Sequence, residues 1–152
     1  MKNWLIIVIA ACMVAAISPA NAASDTITIL QLDDLKWQDY PGLPGVTFVV
    51  IAGNPREAGP YTIRAKFAPG VMSKPHWHPE ARYVTVLKGT WWAGEGDVLD
   101  PNKTIPVKAG GFAIHTPGKV HYDGAKDEEA IVQISGIGPS GTNIVNPTAE
   151  AK

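Results

Sequence analysis

Apolar and polar residues alternate singly along much of the chain, and Gly or Pro interrupts the alternation every few residues. The clearest run is Tyr61-Thr62-Ile63-Arg64-Ala65-Lys66-Phe67. Tyr61, Ile63, Ala65 and Phe67 fall on one face, with Thr62, Arg64 and Lys66 on the other. A period of two is the signature of a half-buried strand. This run stops at Pro69-Gly70. The β-branched run Val46–Ile51 stops at Gly53-Asn54-Pro55, and Tyr83–Leu87 stops at Lys88-Gly89, with Thr90-Trp91-Trp92 following at hairpin distance. Gly111–His115 and Ala130–Ile134 complete the set. No stretch of the mature chain carries a capped 3.6-residue apolar period, and Asp33–Trp37 offers one helical turn at most. Short strands punctuated in this way predict an all-β chain folded as an antiparallel sandwich or barrel.

The first residues follow a different pattern. Lys2 is followed by an uncharged apolar run, Trp4–Ile17, then Ser18-Pro19 and the small-x-small site Ala20-Asn21-Ala22. Those three regions in that order are a secretory signal peptide. The apolar run is shorter than the roughly 20 residues of a membrane helix. A lipoprotein signal acylated at Cys12 ranks second. Cleavage after Ala22 leaves no stable membrane anchor and a mature chain without cysteine, working in the periplasm or outside the cell. The expected organisation is a signal peptide at 1–22, an N-terminal extension packing on the barrel at 23–45, the barrel at 46–138 and a C-terminal tail at 139–152.

Composition narrows the function classes. Apolar residues make up 45% and charged residues 18% of the 152, a globular balance. The net charge of −1 leaves no basic excess for a phosphate backbone, so nucleic acid is excluded as a partner. One cysteine rules out both an internal disulfide framework and a cysteine-based zinc site.

The four histidines are where the chemistry concentrates. His76 and His78 stand two apart in Pro75-His76-Trp77-His78-Pro79. In an extended segment both imidazoles face one side, about 7 Å apart, and can share a divalent ion. His121 follows Pro117-Gly118 and can supply a third ligand from a distant strand. His-x-His alone fits two surface histidines equally well. His115 has no spacing partner and reads as an ordinary packed or solvated strand residue.

Gly70, five residues, then His76-x-His78 resembles the first cupin motif, closed by Gly89. Gly110, five residues, Thr116-Pro117-Gly118 and His121 resemble the second. The resemblance covers residues 70–121, and the flanking strands from Val46 to Ile134 fit the same family. It implies a small antiparallel jelly-roll barrel in a single domain, a site between its two sheets usually holding a divalent metal, and a homodimer. It departs from the family in respects that matter: the second motif's proline is displaced by one (Thr116-Pro117-Gly118), its final asparagine is absent (Ala125), and the first motif loses its carboxylate. The usual glutamate, three or four residues after the second histidine, is replaced by Arg82 and Tyr83. An arginine is permanently cationic and has no lone pair for a metal.

Three arrangements follow. His76, His78 and His121 hold the ion alone, with Arg82 turned away or binding a substrate carboxylate; or Glu80 adds a further ligand; or the site is degenerate and the pocket binds a small molecule without metal. Three neutral imidazoles suit Fe, Mn, Ni or Zn and leave open coordination positions. The corresponding functions are a non-haem metal-dependent dioxygenase or isomerase acting on a small molecule, and a non-catalytic small-ligand-binding cupin. Arg82 and Tyr83 are the expected substrate-binding residues. The aromatic residues Trp77, Trp91 and Trp92 are candidate pocket walls, and adjacent Trp91 and Trp92 cannot both face inward.

Overall fold

The computed structural model describes residues 26–145. Residues 1–25, which include the expected signal peptide, and residues 146–152 lie outside that range. Eleven strands account for the described chain: β1 (Gln38–Asp39), β2 (Val46–Ala52), β3 (Gly59–Phe67), β4 (His76–Trp77), β5 (Arg82–Lys88), β6 (Thr90–Glu95), β7 (Ile105–Lys108), β8 (Phe112–His115), β9 (His121–Gly124), β10 (Ala130–Gly138) and β11 (Asn143–Ile144). Among the described residues helix is limited to two 3₁₀ turns, Leu32–Asp34 and Pro101–Lys103. The first overlaps the helical turn read at Asp33–Trp37. Every strand pair is antiparallel, in two sheets ordered β1-β2-β3-β10-β5-β8 and β11-β4-β9-β6-β7.

The alternation along β3 survives intact. Tyr61, Ile63, Ala65 and Phe67 are buried, while Arg64 reaches Gln133 on the outer face and Lys66 lies over the Trp37 ring. In β5 the inward set is Arg82, Val84 and Val86. The core joins Ala65, Phe67, Val84 and Val86 to Val46, Val132 and Ala130 of the first sheet and to Trp91 of the second. Trp91 is buried and Trp92 packs under Lys126 outside, so only one of the pair faces the interior. Gly89 makes the β5–β6 turn at φ +70°, where a side chain would also strike the Glu129 carbonyl.

At the N-terminal side Tyr40 and Leu43 pack on the core, and β1 pairs with β2. Residues 139–145 run back along the barrel, β11 pairs with β4, and the Val145 amide donates to the Pro75 carbonyl at 2.9 Å. A two-residue strand behind Pro139-Ser140-Gly141 is too short to show as alternation.

Candidate metal centre

His76 and His121 are direct cross-strand partners in the β4–β9 pair. His78, two residues beyond His76, turns to the same side. The three rings form a cluster with centroids 4.4–5.0 Å apart. One nitrogen from each lies within 4.8 Å of the other two.

Backbone carbonyls set the tautomers. His76 Nδ1 meets the Lys74 carbonyl at 2.8 Å, His78 Nδ1 the Gly141 carbonyl at 2.8 Å, and His121 Nδ1 the Lys119 carbonyl at 3.0 Å. A carbonyl can only accept, so each Nδ1 carries the proton and each Nε2 keeps its lone pair. His121 Nε2 is buried with no hydrogen-bond partner. Burial holds all three imidazoles below their ordinary pKa, His78 down to about 2 with the Arg82 charge as the second cause. Neutral imidazoles with one nitrogen oriented by a carbonyl and the other free are the state a divalent ion requires. The donor set therefore fits a divalent transition metal.

Two further residues belong to the cluster, and sequence reasoning missed both. His115, read as an ordinary strand residue, lies against His121 at a tilt, with ring centroids 3.9 Å apart, and stacks on His78 at 5.6 Å. Both of its ring nitrogens are buried without a partner, and burial pushes it down to about 2. Asp123 is 5% exposed. Its Oδ2 lies 3.9 Å from His76 Nε2 and 3.8 Å from His121 Nε2. His115, His121 and Asp123 form a second set with one potential ligand atom each, all within 4.8 Å of one another. Burial pushes the Asp123 carboxyl up to about 6, against the opposing effect of His121. The Trp91 indole N–H favours the carboxylate without forming a bond of good geometry.

Arg82 points into the barrel but is already engaged. Its Nε donates to Glu80 Oε1 at 3.1 Å, and its Nη2 donates to Ser140 Oγ and to the Gly141 carbonyl. Glu80 is thereby drawn to Arg82. Burial raises its pKa, but bonds from Ser140 and Arg82 outweigh this and keep it below the usual carboxylate value. Its carboxylate is committed to the guanidinium. Tyr83, expected beside Arg82 at the pocket, points the opposite way. It is 46% exposed and stacks on Phe112 outside the barrel, because neighbouring strand residues face opposite sides.

A cavity of about 420 Å³ opens onto the cluster. His76, His78, Arg82, His115 and Asp123 line its polar part, and Ile63, Phe67, Val132 and Ile134 contribute to its apolar wall. A second cavity, of about 750 Å³, reaches His115 and His121 between β6, β7 and β8.

The chain matches the family model described as the ChrR cupin-like domain over residues 25–140, and it belongs to that cupin family. Solved structures share the jelly-roll fold at low identity. The polyketide cyclase RemF from Streptomyces resistomycificus has a TM-score of 0.67 at 16% identity, with 82% of this chain and 89% of that one covered. A cupin-2 domain from Rhodospirillum rubrum gives 0.62 at 17%, covering 80% and 81%. A sugar phosphate isomerase of the cupin superfamily from Silicibacter pomeroyi gives 0.56 at 18%, covering 73% and 76%. No curated protein matches the chain.

Proposed function

We propose that this protein is an exported cupin that holds one divalent ion through His76, His78 and His121 and acts with it on a small, largely apolar molecule. The observation that carries the reading is the common orientation of the three imidazoles. Each Nδ1 is tied to a backbone carbonyl, and one nitrogen of each ring converges with the others. A bound ion of this kind supplies Lewis acidity and open coordination positions for a substrate oxygen.

The chain's own residues supply the rest. The apolar wall, with Ile63, Phe67, Val132 and Ile134, favours a hydrocarbon or aromatic body and excludes water around it. Arg82 lines the same cavity, and among the described residues its Nη1 makes no protein hydrogen bond. It can donate there to a carbonyl or carboxylate of the occupant. This combination suits a dioxygenase or isomerase acting on an enolisable or aromatic oxygen compound. The cyclase and isomerase named among the fold neighbours are consistent with such chemistry on this scaffold.

The test begins with protein purified without a histidine tag and loaded separately with Fe(II), Mn(II), Ni(II) or Zn(II). Oxygen uptake and isomerisation are then followed with a panel of enolisable ketones and phenols. Metal-dependent turnover supports the enzyme. Metal and ligand binding without turnover supports the non-catalytic alternative, and failure to take up any of the four ions rejects the metal reading.

A further inference from the structure

The centre as read so far has no acidic ligand. The motif position for one is occupied by Arg82, and Glu80 is held by that arginine at 3.1 Å. Three neutral imidazoles around a divalent ion would leave two positive charges uncompensated in a mostly buried cluster beside a guanidinium. Buried charge of that size needs an anionic partner.

We propose that Asp123 is that partner, a ligand reaching the ion from the third histidine's own strand; the inference rests on the metal-binding reading above. Its place follows from strand register. His121 sits directly opposite His76, and Asp123, two residues along β9, turns to the same face as His121. The sequence thus presents His-x-His on one strand and His-x-Asp on its antiparallel neighbour.

The distances support a ligand rather than a hydrogen-bond acceptor. At 3.9 and 3.8 Å from two Nε2 atoms, Oδ2 is too far for hydrogen bonds to either. Two donors on one ion can stand up to about 4.2 Å apart when each bond is about 2.1 Å. Asp123 and His121 also belong to the set that includes His115. An ion beside His121 therefore has the same carboxylate in reach whether it lies toward His76 or toward His115.

The backbone on either side is clamped independently of the carboxylate. The Asp123 amide donates to Ser73 Oγ at 2.9 Å, and the Ser73 amide donates to the Asp123 carbonyl at 2.7 Å. Replacing the carboxylate by an amide leaves this clamp in place.

The test is titration calorimetry of the full mature, untagged protein with Mn(II) and with Ni(II), for wild type, Asp123→Asn and His76→Ala. Thermal melts of each are recorded with and without Mn(II). Asp123→Asn should weaken Mn(II) binding by about 30-fold, within the range for loss of a ligating or supporting group, and Ni(II) binding by less, because Mn(II) depends more on oxygen donors. The metal-free melting temperature should stay level or rise, while the Mn(II)-induced rise should shrink. A purely structural aspartate would do the reverse, with a lower metal-free melting temperature and unchanged affinity. Wild-type Mn(II) affinity in Asp123→Asn overturns the proposal while leaving the histidine site standing. No binding by wild type at all overturns the metal reading itself, and the proposal with it. If the amide is not accommodated, Asp123→Ala gives the same comparison.

Discussion

Arg82 and His78 share one acceptor. The Gly141 carbonyl takes a hydrogen bond from Arg82 Nη2 at 2.9 Å and from His78 Nδ1 at 2.8 Å. The residue standing where the family usually has a glutamate ligand is therefore tied to the group that orients a candidate ligand. It also gathers Glu80 and Ser140, so five residues from the β4–β5 connection, β5 and the chain following β10 form one polar network beside the cluster.

Breaking this network should cost stability. Arg82→Met leaves the Glu80 carboxylate, whose side chain is 14% exposed, without its cation. The pair is part-buried, so unpairing it should cost about 1–3 kcal/mol, less than for a fully buried pair. Adding Glu80→Gln to Arg82→Met should recover most of that loss, because no charge is then left unpaired. Urea denaturation of the four proteins in the cycle gives the coupling. Simple additivity would show that the pair is energetically silent. Arg82→Glu should be less stable than Arg82→Met, since it sets two carboxylates together.

Gly124 should be irreplaceable by alanine. It follows Asp123 in β9, and a Cβ there would collide with the Val71 carbonyl and crowd Met72. That carbonyl accepts from the Ala125 amide at 2.8 Å, so relief would disturb the edge that positions Asp123 and His121. Overpacking against backbone is expected to cost about 2 kcal/mol. Chemical denaturation of Gly124→Ala measures it, and a value within experimental error of wild type would show that the strand yields freely.

The mature protein is expected to begin at Ala23. The motive is Ala20-Asn21-Ala22 behind Ser18-Pro19. Intact-mass measurement of protein recovered from a periplasmic fraction checks this. Retention of Met1, or a lipid on Cys12, would contradict it.

The strands were legible because β3 and β5 bury one face and expose the other. Turn residues at Gly53-Asn54-Pro55, Pro69-Gly70 and Lys88-Gly89 marked their ends. His76, His78 and His121 were legible through spacing. His115 was not, because β8 inverts the usual pattern: Phe112 and Ile114 are 57% and 58% exposed, while the smaller Ala113 and His115 turn inward. Hydrophobicity alone assigns such a strand to the wrong face. Asp123 did have a signal. The same-face rule that joined His76 to His78 also joins His121 to Asp123. The inward face of β5 was undecidable from sequence, since Arg82-Val84-Val86 and Tyr83-Thr85-Leu87 both carry apolar residues. In the structure Arg82, Val84 and Val86 are buried while Tyr83 and Leu87 are exposed, which settles it in favour of Arg82.

The account turns on three imidazoles holding one ion. Its most direct test is metal content, by inductively coupled plasma mass spectrometry, of untagged protein loaded with Mn(II), Fe(II), Ni(II) or Zn(II) and then desalted. Wild type is compared with His76→Ala, His78→Ala, His121→Ala and His115→Ala. The account predicts about one ion per chain in wild type, sharp loss in each of the first three variants, and retention of most of the ion in His115→Ala. A wild type that retains none of the four ions, or His76, His78 and His121 variants that retain it as well as wild type, would contradict it.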